Sequence, residues 1–191
     1  MVLQSVSELV CFGDSITEGY LVPFDSSYPS VLSRLLSISC HNLGVSGETS
    51  FDGLKRFKQL ASYLGRAHRV GVLIEFGIND FFMGFSKDQF GLNLSTMVER
   101  ILSAGQLPII LGFKLNYLEA VSWSSVFEDT ALRFSVPFYP NVFDGLANID
   151  GAFLSDGLHP SVVGYKEMAK NIGNFLLSKK IIVNNSNEKR I

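Results

Sequence analysis

The sequence predicts an α/β protein, a parallel sheet of five strands with helices on both faces. Two observations carry this. Short apolar runs alternate with segments of helical spacing from end to end, the pattern of repeated βα units. At 191 residues, with 47% hydrophobic and 18% charged residues, the chain has the size of one domain and can bury about 70% of its unfolded surface. No internal repeat or low-complexity linker interrupts it. Residues 1–180 therefore read as a single domain and 181–191 as a polar tail that frays.

The elements follow in order. LVCF (9–12) is a buried strand ending at Gly13 and Asp14. Pro29 to Leu36 places Val31, Leu32, Leu35 and Leu36 on one helical face. ISCHNL (38–43) is the next strand. Asp52 to Leu64 is helical, with Leu54, Phe57, Leu60, Ala61 and Leu64 inward and Asp52 as its N-cap. VGVLIEFG (70–77) is almost continuously apolar, as central parallel strands are. Lys87 to Ala104 is a long helix stopped by Gly105. LPIILGF (107–113) is the fourth strand, Val121 to Phe134 a helix, and VPFY (136–139) the short fifth strand. Ser161 to Leu177 closes the fold.

Composition excludes several roles. The formal net charge is −2 with no basic block, so nucleic acid is not an expected partner. No stretch reaches the ~20 apolar residues of a membrane span. The N-terminus MVLQSVSELV has no basic start or apolar core ahead of the first strand. The chain as written reads as cytoplasmic, and as periplasmic or secreted if a leader has been removed. Cys11 and Cys40 both fall in runs that read as central strands, which predicts buried free thiols. A monomer or weak oligomer is expected, with no integral membrane segment. Sixteen phenylalanines point to an aromatic core or an apolar pocket.

Every chemically suggestive block lies just after a strand or just before the last helix. Parallel sheets bind ligands beyond the carboxyl ends of their strands, so the blocks can converge there. Ser15 follows the first strand in GDSIT (13–17). It reads either as an N-cap or as a nucleophile, which needs a base and an orienting acid. SDGLHP (155–160) supplies both. One turn can bring Asp156 to one ring nitrogen of His159 and leave the other for Ser15. The same residues also read as a capped turn with Pro160 opening the helix, and the two readings are compatible. Gly47, in NLGVSGETS (42–50), can bring a backbone N–H close to a ligand. Asn79, in LIEFGIND (73–80), carries an amide donor, with Gly77 letting its loop turn. With the Ser15 N–H these form a candidate oxyanion hole. Alone, Asn79-Asp80 would read as an Asx-turn, and Asp80 as a brace for its loop. His41 has no acid at a matching spacing, and His68 reads as solvated. FFMGF (81–85) puts Phe81, Phe82, Met83 and Phe85 on a loop next to Asn79. They are candidate acyl-chain contacts, with at least two of them equally suited to the core.

GDSIT, the Gly47 block, GIND and DGLHP resemble, in order and spacing, the four blocks of the SGNH hydrolases, the GDSL-type esterases and lipases. The resemblance spans roughly residues 9–178. SGETS (46–50), LIEFGIND and the NL-x-x-M pattern (93–97) are most similar to the bacterial thioesterase I, protease I and lysophospholipase L1 (arylesterase) group. It implies a flavodoxin-like three-layer α/β/α sandwich. It also implies Ser15 as nucleophile, His159 as base, Asp156 as orienting acid, and Ser15, Gly47 and Asn79 as the oxyanion hole. Members of that group hydrolyse aryl esters, acyl-CoA thioesters and lysophospholipids without a metal or other cofactor, so the expected partner is a small ester or thioester. Two features depart from it: the missing signal peptide, and GFKLNYLEAVSW (112–123) in place of an Arg-containing loop. A carbohydrate O-deacetylase on the same fold is the alternative enzyme, weakened by the single Trp123. A non-catalytic binding module is the other alternative, opposed by the intact Ser15, Asp156 and His159. A nucleotide-binding role lacks both G-x-G-x-x-G and a Walker lysine.

Overall fold

The structure is a computed structural model that describes residues 5–114 and 123–183. Five strands, β1 (Glu8–Gly13), β2 (Ser39–Gly44), β3 (Val70–Glu75), β4 (Leu107–Leu111) and β5 (Phe138–Tyr139), form one sheet in the order β2-β1-β3-β4-β5. All pairings are parallel. β1 and β3 are buried at every residue, which is why their sequences read as apolar runs rather than alternations. Chain order reverses between them, so the carboxyl ends of β1 and β3 open the crevice where such sheets bind ligands. The register aligns Gly13 with both Gly44 and Glu75, so three loops leave the sheet side by side.

The described α-helices are α1 (Ser15–Glu18), α2 (Tyr28–Leu36), α3 (Ser50–Lys55), α4 (Ala61–Leu64), α5 (Ile78–Phe82), α6 (Lys87–Ser103), α7 (Ser124–Phe134) and α8 (Val162–Ser178). On one face α2 packs against α8, and on the other α6 packs against α3 and α7. Ser86 and Gln89 form a reciprocal capping box that starts α6, and the Ser161 hydroxyl caps α8. Aromatic rings fill the space beneath α6 and α7. Phe90 lies 5.3 Å from Trp123 and 5.1 Å from Phe127, and Phe113 lies 5.4 Å from Phe127. Each such ring, fully buried, contributes on the order of 2–3 kcal/mol.

Several expectations are corrected by longer-range packing. The helix expected over 52–64 is broken into α3, a 3-10 turn (Phe57–Leu60) and α4. Arg56 sits at the break with its guanidinium turned inward, 3.0 Å from the Gly13 carbonyl and 4.4 Å from the Phe12 ring. The N-cap is Thr49, not Asp52, which is the reciprocal partner in its capping box. FFMGF is not a loop throughout, because Phe81 and Phe82 belong to α5. β2 is an edge strand, so Cys40 is only half-buried while Cys11 is buried, and both are free thiols. Ile181 and Ile182 are buried, and the Val6 N–H donates to the Ile181 carbonyl at 2.8 Å. The packed body therefore runs past residue 180. The segment from which the Val121 helix start was read, most of the 112–123 loop and the tail beyond Val183 lie outside the described residues.

The amino edge of the sheet is held by one carboxylate. Glu8, on central β1, is buried, and it pairs with His41 of β2 at 2.5 Å, with Arg66 at 2.5 Å and with His68 at 2.8 Å. Both histidines thus meet an acid that local spacing could not reveal, 33 and 60 residues away, and the His68 side chain stays half exposed, in keeping with its polar turn. Burial alone would raise the Glu8 carboxyl, but the hydrogen bonds from His68 and His41 and the Arg66 charge outweigh it and hold it below the usual glutamate range. A carboxyl depressed on folding stabilises the protein above its unfolded value and loses that contribution as pH falls through its folded one. Glu8→Gln takes the charged acceptor away from three donors that are a third to a half exposed, and is expected to lower stability at neutral pH by about 1 kcal/mol. Urea unfolding of both proteins checks this, and the difference should shrink as the pH is taken into the acid range.

Candidate active site

The first component is a turn that only a residue without a side chain can enter. A Cβ on Gly13 would stand 2.2 Å from Thr17 Oγ1 and 2.4 Å from the Glu75 carbonyl. Asp14 follows as the N-cap of α1, its Oδ1 accepting from the Ile16 N–H at 2.9 Å. Ser15 is thus not the cap but the first helical residue. Its own N–H points off the helix end and needs no intrahelical acceptor. Ser15 is 8% exposed, enough for its Oγ to reach the surface of the crevice.

The second component is the turn before α8. The Leu154 N–H donates to the His159 carbonyl at 2.8 Å and the Ser161 N–H to the Ala152 carbonyl at 2.7 Å. Within that turn Asp156 Oδ1 accepts from the N–H groups of Leu158 (2.9 Å) and His159 (3.0 Å). Its Oδ2 lies 2.8 Å from His159 Nδ1, and His159 Nε2 lies 2.9 Å from Ser15 Oγ, 144 residues away in sequence. Burial acts to raise the Asp156 carboxyl, but the two backbone N–H groups and the imidazole together bring it below its usual range. An ionised Asp156 accepts from Nδ1–H and leaves the Nε2 lone pair for the serine proton. The Tyr20 ring packs on the imidazole, centroids 4.4 Å apart, and limits its rotation. Nothing in the sequence singled out Tyr20.

The third component comes from the loops after β2 and β3. Gly47 has φ +79°, and the place a Cβ would take is open, so its backbone can approach a ligand. Gly77, at φ +123°, makes the turn out of β3. Asn79 Nδ2 donates to the Glu48 carbonyl at 2.9 Å and to Asp14 Oδ2 at 3.1 Å. Its amide is therefore held facing the Ser15 turn, and a substrate oxygen would take over one of these two donors. Asp80 braces the loop as its sequence position suggested, accepting from the Ser50 N–H (2.8 Å) and hydroxyl (2.5 Å). Asn93 of α6 completes this brace with a 2.9 Å bond to the Ser50 Oγ. Beneath the turn lies Glu75, 1% exposed, accepting from Thr17 Oγ1 at 2.9 Å. A charged residue in an otherwise apolar strand was the one sequence signal that could have marked it.

A cleft of about 470 Å³ opens beside His159. Phe82, Phe143, Phe153 and Leu158 give it apolar walls, and Lys114 and Asn141 give it polar ones. Of the four apolar residues singled out after Asn79, Phe82 alone lines this cleft, at 54% exposure. Phe81 and Phe85 pack against the core, Phe81 edge-on to Trp123 at 5.7 Å. Met83 is exposed outside the cleft. Phe143 and Phe153, which the sequence reading passed over, arrive from the chain between β5 and α8. Among the described residues no group of three or more His, Cys, Asp or Glu side chains is placed to hold a metal ion. Among them, too, no helix is long and apolar enough to cross a membrane.

Residues 11–167 match the model of the GDSL-like lipase/acylhydrolase family. The arylesterase of Vibrio mimicus is 29% identical over 166 residues, 82% of each chain. The esterase TesA of Pseudomonas aeruginosa is 26% identical, over 86% of this chain and 85% of that protein. A crystal structure of TesA superposes with a TM-score of 0.80 at 25% identity, covering 88% of this chain and 97% of that one. The matched range takes in both the Ser15 turn and the Asp156–His159 turn, and the chain belongs to the GDSL-like lipase/acylhydrolase family of carboxylic ester hydrolases.

Proposed function

We propose that the chain hydrolyses short- to medium-chain acyl esters and thioesters through an acyl-enzyme on Ser15. The observation that carries this reading is the continuous relay Asp156–His159–Ser15, bonded at 2.8 and 2.9 Å beside an apolar cleft. His159 Nε2 takes the Ser15 proton as Oγ attacks the carbonyl carbon. The negative charge that forms on oxygen is met by the N–H groups of Ser15 and Gly47 and by the Asn79 amide. His159 then protonates the leaving alcohol or thiol. Water, deprotonated by the same imidazole, releases the acid and restores Ser15. The acyl chain lies along Phe82, Phe143 and Phe153, whose rings favour hydrocarbon over a sugar ring.

Hydrolysis of 4-nitrophenyl acetate, butyrate, octanoate and palmitate by wild type and Ser15→Ala tests the reading. Turnover by wild type alone supports it, and turnover by neither folded protein overturns it. A rate that rises with chain length and then falls is expected, and Phe82→Ala should raise KM for octanoate more than for acetate. Equal rates on all chain lengths would remove the assignment of the cleft. Asn79→Ala should lower kcat on the order of a hundredfold with little change in KM, because its donor matters most once the oxyanion forms. Asp156 is held ionised below the ordinary carboxylate range, so it keeps its hold on His159 Nδ1–H until the pH falls through that lowered value, and Asp156→Asn should lower kcat at every pH above it.

A further inference from the structure

Of the three oxyanion donors, Gly47 has no side chain by which it could be held. It sits in an exposed turn that the Glu48 N–H closes on the Val45 carbonyl at 3.4 Å. Its φ is +79°, and nothing beyond its chain neighbours lies within 4 Å of where a Cβ would stand. Its N–H, which has to face the substrate oxygen, has no acceptor among the described residues. A glycine in such a turn has more backbone freedom than any other residue. The direction of this N–H is therefore set by Ser46 and Glu48 on either side.

Each of these neighbours is gripped by a charged side chain that is tied to the Ser15 turn. Glu18 is the last residue of α1, one turn after Ser15. Its Oε2 accepts from the Ser46 N–H at 2.8 Å and from the Ser46 hydroxyl. The Glu18 main chain is itself fixed against β2. Its carbonyl accepts from the Asn42 amide at 3.1 Å, and a Cβ on Gly44 would stand 2.1 Å from its nitrogen. On the other side of Gly47, the Arg56 guanidinium donates from Nε to the Glu48 carboxylate. From Nη2 it reaches the Gly13 carbonyl, two residues before Ser15, at 3.0 Å. The Glu48 carbonyl in turn accepts from the Asn79 amide at 2.9 Å, so Glu48 joins Gly47 to the third donor.

We propose that Glu18 and Arg56 are positioning residues of the oxyanion hole, Glu18 acting through Ser46 and Arg56 through Glu48, and that together they fix the Gly47 N–H relative to Ser15 Oγ. This deepens the hydrolase reading and rests on it. Neither side chain lines the cleft beside His159, so neither acts by holding the acyl chain there. The substrate carbonyl carries no full charge and leans weakly on the Gly47 N–H, whereas the oxyanion leans on it strongly. A loosened Gly47 therefore lowers kcat and leaves KM in place. A clamp that served the fold alone would not separate the two. Glu18 is exposed, so replacing it disturbs no core packing. Arg56 is 9% exposed and stacks 4.4 Å from the Phe12 ring, so its loss also touches the core.

Two measurements test this on the intact chain. The first compares wild type, Glu18→Ala, Glu18→Gln and Arg56→Lys on 4-nitrophenyl butyrate. Glu18→Ala should lower kcat on the order of tenfold at unchanged KM, less than the loss of a whole donor, because the N–H is loosened and not removed. Glutamine keeps an oxygen that accepts from both Ser46 donors, so Glu18→Gln should restore most of the rate. Lysine cannot hold Glu48 and Gly13 at once, so Arg56→Lys should lower kcat as well. A Glu18→Ala variant that keeps its kcat, loses only in KM, or is not restored by glutamine overturns the proposal. If Arg56→Lys does not fold, Glu18→Ala decides. The second measurement is the backbone order parameter of the Gly47 amide by 15N relaxation. It should lie near about 0.85 in wild type and fall below about 0.6 in Glu18→Ala. A Gly47 already mobile in wild type, or unchanged in the variant, overturns the clamp whether or not the protein turns over ester. A wild type without turnover removes the positioning role together with the hydrolase reading. A normal wild type beside an equally fast Glu18→Ala removes the positioning role alone.

Discussion

The close approach of β1 to its neighbours at Gly13 is the constraint on which the crevice depends. With no side chain there, the strand end can lie against the Glu75 carbonyl and Thr17 Oγ1 at distances no Cβ would tolerate. The Gly13 carbonyl then accepts from the Val45 N–H at 3.1 Å and from Arg56 at 3.0 Å. The chain after β2 and the chain after α3 are thereby tied to the turn that carries Ser15. β3 joins them from the other side through Glu75. Segments far apart in sequence are thus brought to one point, and each contributes a group to the same few ångströms.

The two ends of the sheet solve the problem of buried charge in different ways. At the amino edge Glu8 stays ionised because Arg66, His41 and His68 surround it, and the cost of burial is offset by their hydrogen bonds. At the carboxyl edge Asp14 and Glu75 have few such partners, and burial drives them toward the protonated form instead. Among the described residues every buried side-chain polar atom has a hydrogen-bond partner. The amino edge holds β2 and the α4–β3 connection to β1. The carboxyl edge is where the buried acids Asp14, Glu75 and Asp80 are gathered.

The phenylalanines divide between these tasks. Phe12, Phe76, Phe90, Phe113 and Phe127 are fully buried and set the spacing between sheet and helices. Phe82, Phe143 and Phe153 line the cleft, on segments that follow β3 and β5. Phe81 sits between the two groups, one ring away from Phe82 at 5.3 Å and from Trp123 at 5.7 Å. The core therefore continues into the cleft wall, and that gives an apolar ligand a rigid surface to lie on.

The sequence by itself determined the class of fold, the existence of each strand and which three side chains, Asp156, His159 and Ser15, could meet in one hydrogen-bonded chain. Those features are written locally: an apolar run of four to eight residues, a helical spacing, a serine after Gly13-Asp14, an aspartate one turn before His159. Only the tertiary structure decided that β2 lies at an edge, that Arg56 breaks the expected helix, and that His41 and His68 both close on Glu8. It also decided which aromatic rings face the cleft and that Glu75 stands under the Ser15 turn. The physical reason is the same in each case. Periodicity reports which side of an element is apolar, but the partner that satisfies a buried charge or covers a ring lies tens of residues away, and strand order alone brings the two together.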